Sequence, residues 1–327
     1  MPLMLLRTEN LSKDYGSIRA LDRLNLQVQP GEIFGLLGPN GSGKSTALRM
    51  MLGFLRPSTG RAWINGHDCW HDGVRARMHV AYLPGELRLY ENMTGSQLVR
   101  FLCRLRGQAP REEIKHLARD FDIDTSRPLA QLSSGMKRKV ALLQVLAPHA
   151  PLLILDEPTN TLDPTMRDAL LAQLVQARRR GQAVLFSSHV LTEVEQVCDR
   201  VGILQRGVLV HVQDLAERHD VRRIRASFAE APEASPEIPG LVPGSLVSGE
   251  LATGGAARRE RPVVSGSAEH AFSSPGSTPL TTHNITFEHS GPLPDLLQWL
   301  ARRRVVDLKI EPVGLASVYR RYHGSEA

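Results

Sequence analysis

Residues 38–46 read Gly38-Pro39-Asn40-Gly41-Ser42-Gly43-Lys44-Ser45-Thr46. Four residues separate the first glycine from a Gly-Lys-Ser triplet, which is the spacing of a phosphate loop. An apolar run at 33–37 precedes the segment and another at 46–55 follows it, so the loop lies between a predicted strand and a predicted helix. Glycines let such a backbone curl until its N–H groups point at phosphate oxygens. A helix N-terminus near Lys44 adds positive partial charge. In this setting Lys44 is expected to reach β- and γ-phosphates, and the Ser45 hydroxyl to hold Mg²⁺.

Working outward, the chain repeats strand and helix. Apolar alternation at 24–28 and the turn Pro30-Gly31 lead into the loop, and 61–83 reads as strand-like pieces broken by Asn65-Gly66. From about 86 to 147 the pattern is helical, with Leu98, Phe101, Leu102 and Leu105 at spacings of three and four. The wholly apolar run 152–155 is how a strand buried on both faces of a parallel sheet reads. A helix at 165–180 and strands at 183–187 and 201–204 continue the alternation, which predicts a parallel sheet covered by helices.

The 327 residues hold one full α/β domain plus about 100 more. Composition changes after residue 229: Pro, Gly, Ser and Ala dominate 232–279, and the stretch to about 280 is expected to be a flexible insert. Order is expected to resume at 284–288, with a helix at 293–303 and a strand at 305–310. No apolar run approaches the length of a membrane span, and the N-terminus lacks the pattern of a signal peptide. Three distant cysteines fit a reducing cytosol. The formal charge of +6 and the triplets 178–180 and 302–304 read as solvated basic faces, and no nucleic-acid partner is expected. The string His67-Asp68-Cys69-Trp70-His71-Asp72 holds ligand-type residues but lies in a turn where neighbours point apart, so no metal site is expected there.

A second pair of groups follows the run 152–155: Asp156 and Glu157 at the carboxyl end of a buried strand, where ligands of open α/β sheets bind. Asp156 is the expected metal group, and Glu157 the one that polarises the attacking water. Between the two motifs, Leu132-Ser133-Ser134-Gly135-Met136 opens a helix carrying Lys137-Arg138-Lys139. Small hydroxyl residues and a glycine at a helix start form another anion cradle.

This segment resembles the signature of ATP-binding cassette (ABC) proteins, usually Leu-Ser-Gly-Gly-Gln, with Ser134 and Met136 departing from it. The resemblance extends over most of 5–210. It implies a P-loop NTPase core of α/β class, an antiparallel β subdomain and a helical subdomain at about 86–150, all within 1–220. A small α+β C-terminal domain at 221–327 would follow. It implies that Gly38, Asn40, Gly41, Gly43, Lys44, Ser45 and Thr46 bind ATP, with Mg²⁺ on Ser45 and Asp156. Tyr15 would stack on adenine, and His189, in Ser187-Ser188-His189, would contact the γ-phosphate. Ser133, Ser134 and Gly135 would complete the site of a second copy in a homodimer, with Asp163 in the loop between subunits. Where the family usually has glutamine after Tyr82-Leu83-Pro84, this chain has Gly85, leaving Glu86 as a shifted metal candidate. The segment 124–128 and the tail at 305–308 and 317–322 resemble ABC-2 exporter ATPases. An ATPase at the cytoplasmic face of a membrane, peripheral to separate permease subunits, is therefore expected. An importer ATPase, or a soluble ATPase acting on DNA or ribosomes, remains the alternative.

Overall fold

The computed structural model describes residues 4–108, 110–215, 221–229, 238–242, 247–252, 282–312 and 314–323. The chain divides into two compact units, Met1–Ala216 with Leu315–Ala327, and Glu217–Gly314.

The first unit forms β1 (Leu6–Tyr15), β2 (Ile18–Val28), β3 (Ile33–Leu37), α1 (Lys44–Met51), β4 (Thr59–Ile64), β5 (His67–Asp68), α2 (Gly73–Met78) and β6 (Val80–Leu83). It continues through α3 (Gly95–Leu105), α4 (Arg111–Asp120), a 3-10 turn at Leu129–Gln131, α5 (Ser134–Leu146) and β7 (Leu152–Asp156). Next come α6 (Pro164–Arg179), β8 (Ala183–Ser188), α7 (Leu191–Val197), β9 (Arg200–Gln205) and β10 (Val208–Asp214). One sheet has the order β2-β1-β4-β5 and is antiparallel. The other runs β10-β9-β3-β8-β7-β6, parallel from β9 to β6 with β10 antiparallel at the edge.

Every residue of β3, β7 and β8 is buried, which explains their unbroken apolar runs. Alternate side chains serve two cores. Ile33, Leu37, Leu153, Leu155, Val184 and Phe186 meet apolar residues of α3, α5, α6 and α7. Phe34, Leu36, Ile154 and Leu185 meet α1 and the antiparallel sheet.

In the second unit β11 (Val221–Phe228), β12 (Val247–Ala252), β13 (Thr282–Ser290) and β14 (Val305–Pro312) form an antiparallel sheet in the order β12-β13-β11-β14. The helix α8 (Leu293–Ala301) packs Leu296, Trp299 and Leu300 against Ile224, Phe228, Ile285 and Phe287.

The structure departs from the sequence expectations in four places. The strand-like stretch 61–83 contains the short helix α2, which buries only Ala76 and so leaves no apolar period to read. In α3 the buried residues include Leu98, Val99 and Cys103, whereas Phe101 and Leu105 are exposed. Most of the stretch 232–280 lies outside the described residues. Within it β12 is nonetheless a strand, held by backbone pairing to β13 and not by an apolar pattern. Finally, the last helix, α9 (Leu315–His323), packs with the first unit and not with the domain that precedes it in sequence. Leu315, Val318 and Tyr319 enter the core shared with Val194 and Val197 of α7, and the Leu315 N–H donates to the Glu195 carboxylate.

Candidate functional site

The carboxyl ends of β3, β8 and β7 lie side by side, with Leu37 paired to Ser188 and Ser187 paired to Asp156. The segments that leave these ends carry the phosphate loop, His189, and the residues after Asp156. Strand order alone therefore gathers groups that are far apart in sequence at the edge where α/β sheets bind ligands.

Gly43 caps α1 with φ at 106°, and a Cβ there would lie 2.7 Å from the Ala20 carbonyl oxygen. Only glycine fits that backbone in that space. Lys44 follows and is 5% exposed, so its charge needs partners. Its Nζ donates to the carbonyl oxygens of Gly38 at 2.7 Å and Pro39 at 3.2 Å, and lies 3.3 Å from Glu157 Oε1. Ser45 and Thr46 are half-buried in the first turn of α1, while Asn40 and Gly41 are exposed.

Glu157 adopts a left-handed φ of 46°, a conformation that costs a non-glycine residue on the order of 1–3 kcal/mol and needs support from its surroundings. Its N–H donates to Ser187 Oγ at 3.0 Å. Its carboxylate accepts from Asn160 Nδ2 at 2.7 Å and sits 3.2 Å from His189 Nδ1. Burial pushes this carboxyl group up, but the Asn160 hydrogen bond and the charges of Lys44 and His189 outweigh it and hold the group below the usual glutamate range. Asp156, 4% exposed, accepts from Ser187 Oγ at 2.6 Å.

Among the described residues no three His, Cys, Asp or Glu side chains gather to hold a metal. The oxygen donors expected for a metal, the Ser45 hydroxyl and the Asp156 carboxylate, follow β3 and end β7 at this edge, beside the Glu157 carboxylate. So small a set of hard ligands fits Mg²⁺, which completes its shell with water and substrate phosphates. The Cβ position of residue 85 lies 3.4 Å from Asp156 Oδ2, so the residue beside the acid is Gly85, without a side chain. Glu86 follows it and is exposed.

Other predicted residues lie apart from this cluster. Tyr15 is half-exposed at the end of β1, with Lys13 Nζ 5.2 Å from its ring centre. Ser133 caps α5 by accepting from the Met136 N–H at 3.3 Å, and Ser134 is exposed. The Cβ position of Gly135 is 3.0 Å from the Thr161 carbonyl oxygen. Asp163 caps α6, accepting from the Met166 N–H at 2.9 Å. Among the described residues no hydrogen bond or ion pair joins 133–136 to 38–46.

Three contributors went unassigned in the sequence reading. Ser187 stands beside His189 in the quoted triplet, yet its contacts with both acids depend on strand pairing. Glu193, 2% exposed, accepts from Thr159 Oγ1 at 2.9 Å and Ser188 Oγ at 3.1 Å, and lies 3.2 Å from Arg167 Nε. It thereby ties α7 to the segment after β7. Arg138 is buried among backbone carbonyls.

The ABC transporter family profile matches residues 21–160. The probable multidrug ABC transporter ATP-binding protein YbhF of Escherichia coli is 36% identical over 63% of this chain, and the match spans 36% of its own length. The bacitracin transport ATP-binding protein BcrA of Enterococcus faecalis is 32% identical over 68% of this chain and 74% of its own. The linearmycin resistance ATP-binding protein LnrL of Bacillus subtilis is 32% identical over 64% and 68%. The solved ATP-binding subunit of an ABC transporter superimposes with a TM-score of 0.61 at 32% identity, covering 65% of this chain and 91% of that one. At these identities and coverages the chain belongs to the ATP-binding proteins of ABC transporters.

Proposed function

We propose that this chain binds and hydrolyses ATP as one of two identical cassette subunits driving an ABC-2 type exporter through separate membrane-spanning subunits. The observation that carries the reading is the setting of Glu157. An ionised carboxylate at a strand end, 3.3 Å from Lys44 and 3.2 Å from His189, is placed to take a proton from water. In the proposed step a water oxygen bonds to the γ-phosphorus as the bond to the β–γ bridging oxygen breaks. The electron pair leaves with ADP, and the water proton passes to Glu157. Lys44 exchanges its loop carbonyls for β- and γ-phosphate oxygens, and His189 hydrogen-bonds the γ-phosphate. The N–H groups of 40–46 cradle the phosphates, and Tyr15 offers its ring to adenine. Mg²⁺, when bound, neutralises charge on the phosphates, with Ser45 and Asp156 as its protein groups. Glu86 reaches that metal only if its loop moves inward.

Ser133, Ser134 and Gly135 open a 13-residue helix whose N-terminus suits an anion. Gly135 approaches Thr161 of its own chain, and among the described residues no hydrogen bond or ion pair joins 133–136 to the phosphate loop, so the site proposed for them is that of a second copy. ATP then bridges two positively polarised surfaces, and loss of the γ-phosphate releases them. The exporter reading is supported by relatives named for multidrug, linearmycin and bacitracin resistance or transport. Separate membrane-spanning chains, with this one at their cytoplasmic face, are part of the same proposal; among the described residues no helix is long and apolar enough to cross a membrane.

Glu157→Gln tests the chemistry. Its kcat is expected to fall by about 10²–10⁴, with ATP affinity kept and ATP-bound dimers accumulating on size exclusion. Hydrolysis at the wild-type rate would remove the assignment. The transport role is tested by mass spectrometry of what co-purifies from gently solubilised native membranes. A stoichiometric polytopic protein is expected, and soluble partners alone would overturn the exporter.

A further inference from the structure

Arg138 lies about one turn into α5, close behind the signature residues that open this helix. It is 3% exposed, yet its guanidinium forms no ion pair with any carboxylate among the described residues. Its hydrogen bonds go to backbone carbonyls. Nη1 donates to Pro84 at 2.9 Å. Nη2 donates to Gly85 at 3.0 Å and Glu157 at 3.2 Å. Nε donates to Asn160 at 3.3 Å. One side chain thus joins the start of α5, the loop after β6, and the segment after β7.

These carbonyls are chosen well for the chemistry next to them. Gly85 flanks Asp156 and lacks a side chain to brace its loop. Glu157 holds a left-handed backbone conformation that needs external support. Asn160 donates to the Glu157 carboxylate. A planar guanidinium with five N–H groups can satisfy several carbonyls at once, whereas an ammonium is a point donor. Because Arg138 spends its donors on carbonyl oxygens, it leaves the Asp156 and Glu157 oxygens available to metal and water. Burial disfavours the cation, while the charges of Asp156 and Glu157 favour it; an arginine stays protonated in such a setting.

We infer that Arg138 is a positioning residue for ATP hydrolysis, holding Glu157 and the Gly85 loop in register with the signature end of α5. The inference rests on the reading of Glu157 as the residue that accepts the water proton.

The test uses the full-length protein with Arg138→Lys, Arg138→Ala and Glu157→Gln. Melting temperature, affinity for a fluorescent ATP analogue, KM and kcat are measured for each. Arg138→Lys is expected to fold, to bind the analogue within about threefold of wild type, and to lose about 10- to 100-fold in kcat. Arg138→Ala leaves a guanidine-sized gap lined by carbonyls. Millimolar methylguanidinium is expected to restore its kcat at least several-fold, and methylammonium is not. Near-wild-type kcat in Arg138→Lys would overturn the proposal. So would an equal loss of affinity and kcat without guanidinium rescue, or failure of both variants to fold, because each makes Arg138 a fold-holding residue only. Glu157→Gln separates the two readings. If it is inactive while Arg138→Lys is unaffected, only the Arg138 inference fails. If it hydrolyses ATP normally, the catalytic reading itself has failed.

Discussion

The parallel sheet of the first unit is covered on both faces, whereas the described apolar core of the second unit lies on one face of its sheet, against a single helix. That difference decides where charge is found. In the first unit the buried charged residues Lys44, Arg138, Asp156 and Glu193 belong to the carboxyl strand ends, the loops beyond them or the helices that begin there, while Glu32, buried just before β3, is paired with Arg200 at 2.9 Å at the opposite edge. In the second unit, β11 turns Ile224, Ala226 and Phe228 inward, and charge sits on the other face, as in the Arg223–Glu288 pair at 3.0 Å. Buried charge is costly unless partnered. A sheet that gathers most of its buried charge at one edge, and pairs the rest as Arg200 pairs Glu32, is built around chemistry, and one whose described core is apolar save for His289 is built around packing.

The comparison breaks most visibly in stability. Phe287 is fully buried in the second unit, with its ring centre 6.4 Å from that of Trp299. Phe287→Ala is expected to cost that unit about 3–5 kcal/mol, read as an earlier transition in a thermal melt or as faster proteolysis between 217 and 314. ATP hydrolysis is expected to stay within about twofold of wild type, because the residues proposed for it all lie in the first unit. A comparable loss of kcat would show that the packing unit governs the chemical one.

A smaller effect is expected at Ser187. Its hydroxyl donates to Asp156 and accepts from the Glu157 N–H, so Ser187→Ala leaves the buried Asp156 carboxylate short of a partner, while the Glu157 N–H keeps the Ser187 carbonyl at 3.2 Å. The expected cost is about 1–3 kcal/mol of stability. An approximately tenfold drop in kcat and a higher Mg²⁺ requirement should accompany it. Full activity at wild-type Mg²⁺ would show that the serine is structural filling and does not hold the two acids in place.

What could be read without coordinates follows the same division. The phosphate loop, the acids 156–157 and His189 were legible because each is announced by contiguous residues after an apolar strand, and strand order does the rest. Arg138 was visible only as the middle of three cations. Its partners are main-chain carbonyls at 84, 85, 157 and 160, which leave no side-chain signature. Periodicity likewise gave the helix α3 but could not tell buried Leu98 from exposed Phe101 and Leu105, since both kinds satisfy a 3.6-residue repeat. The docking of α9 on α7 was hidden for another reason: sequence order assigns a segment to its neighbours in the chain, and this one returns to a unit left behind at residue 216.

The gentlest test of a chemical edge is its pH response. The ordinary value for glutamate is 4.5, and the folded chain holds Glu157 below it. A lowered folded-state pKa means that the carboxylate contributes stability in full above the unfolded-state value. That contribution shrinks as pH falls below about 4.5 and is gone once pH passes below the folded-state value. The difference in melting temperature between wild type and Glu157→Gln should therefore be flat from pH 8 down to about 5 and change only on further acidification. By the same sign, Glu157 stays ionised throughout that range, so any fall in kcat between pH 8 and 6 must come from another group. A melting-temperature difference that already changes between pH 7 and 6 would mean that burial, and not Asn160 and Lys44, dominates the site. The acid would then be a protonated group unable to act as the base.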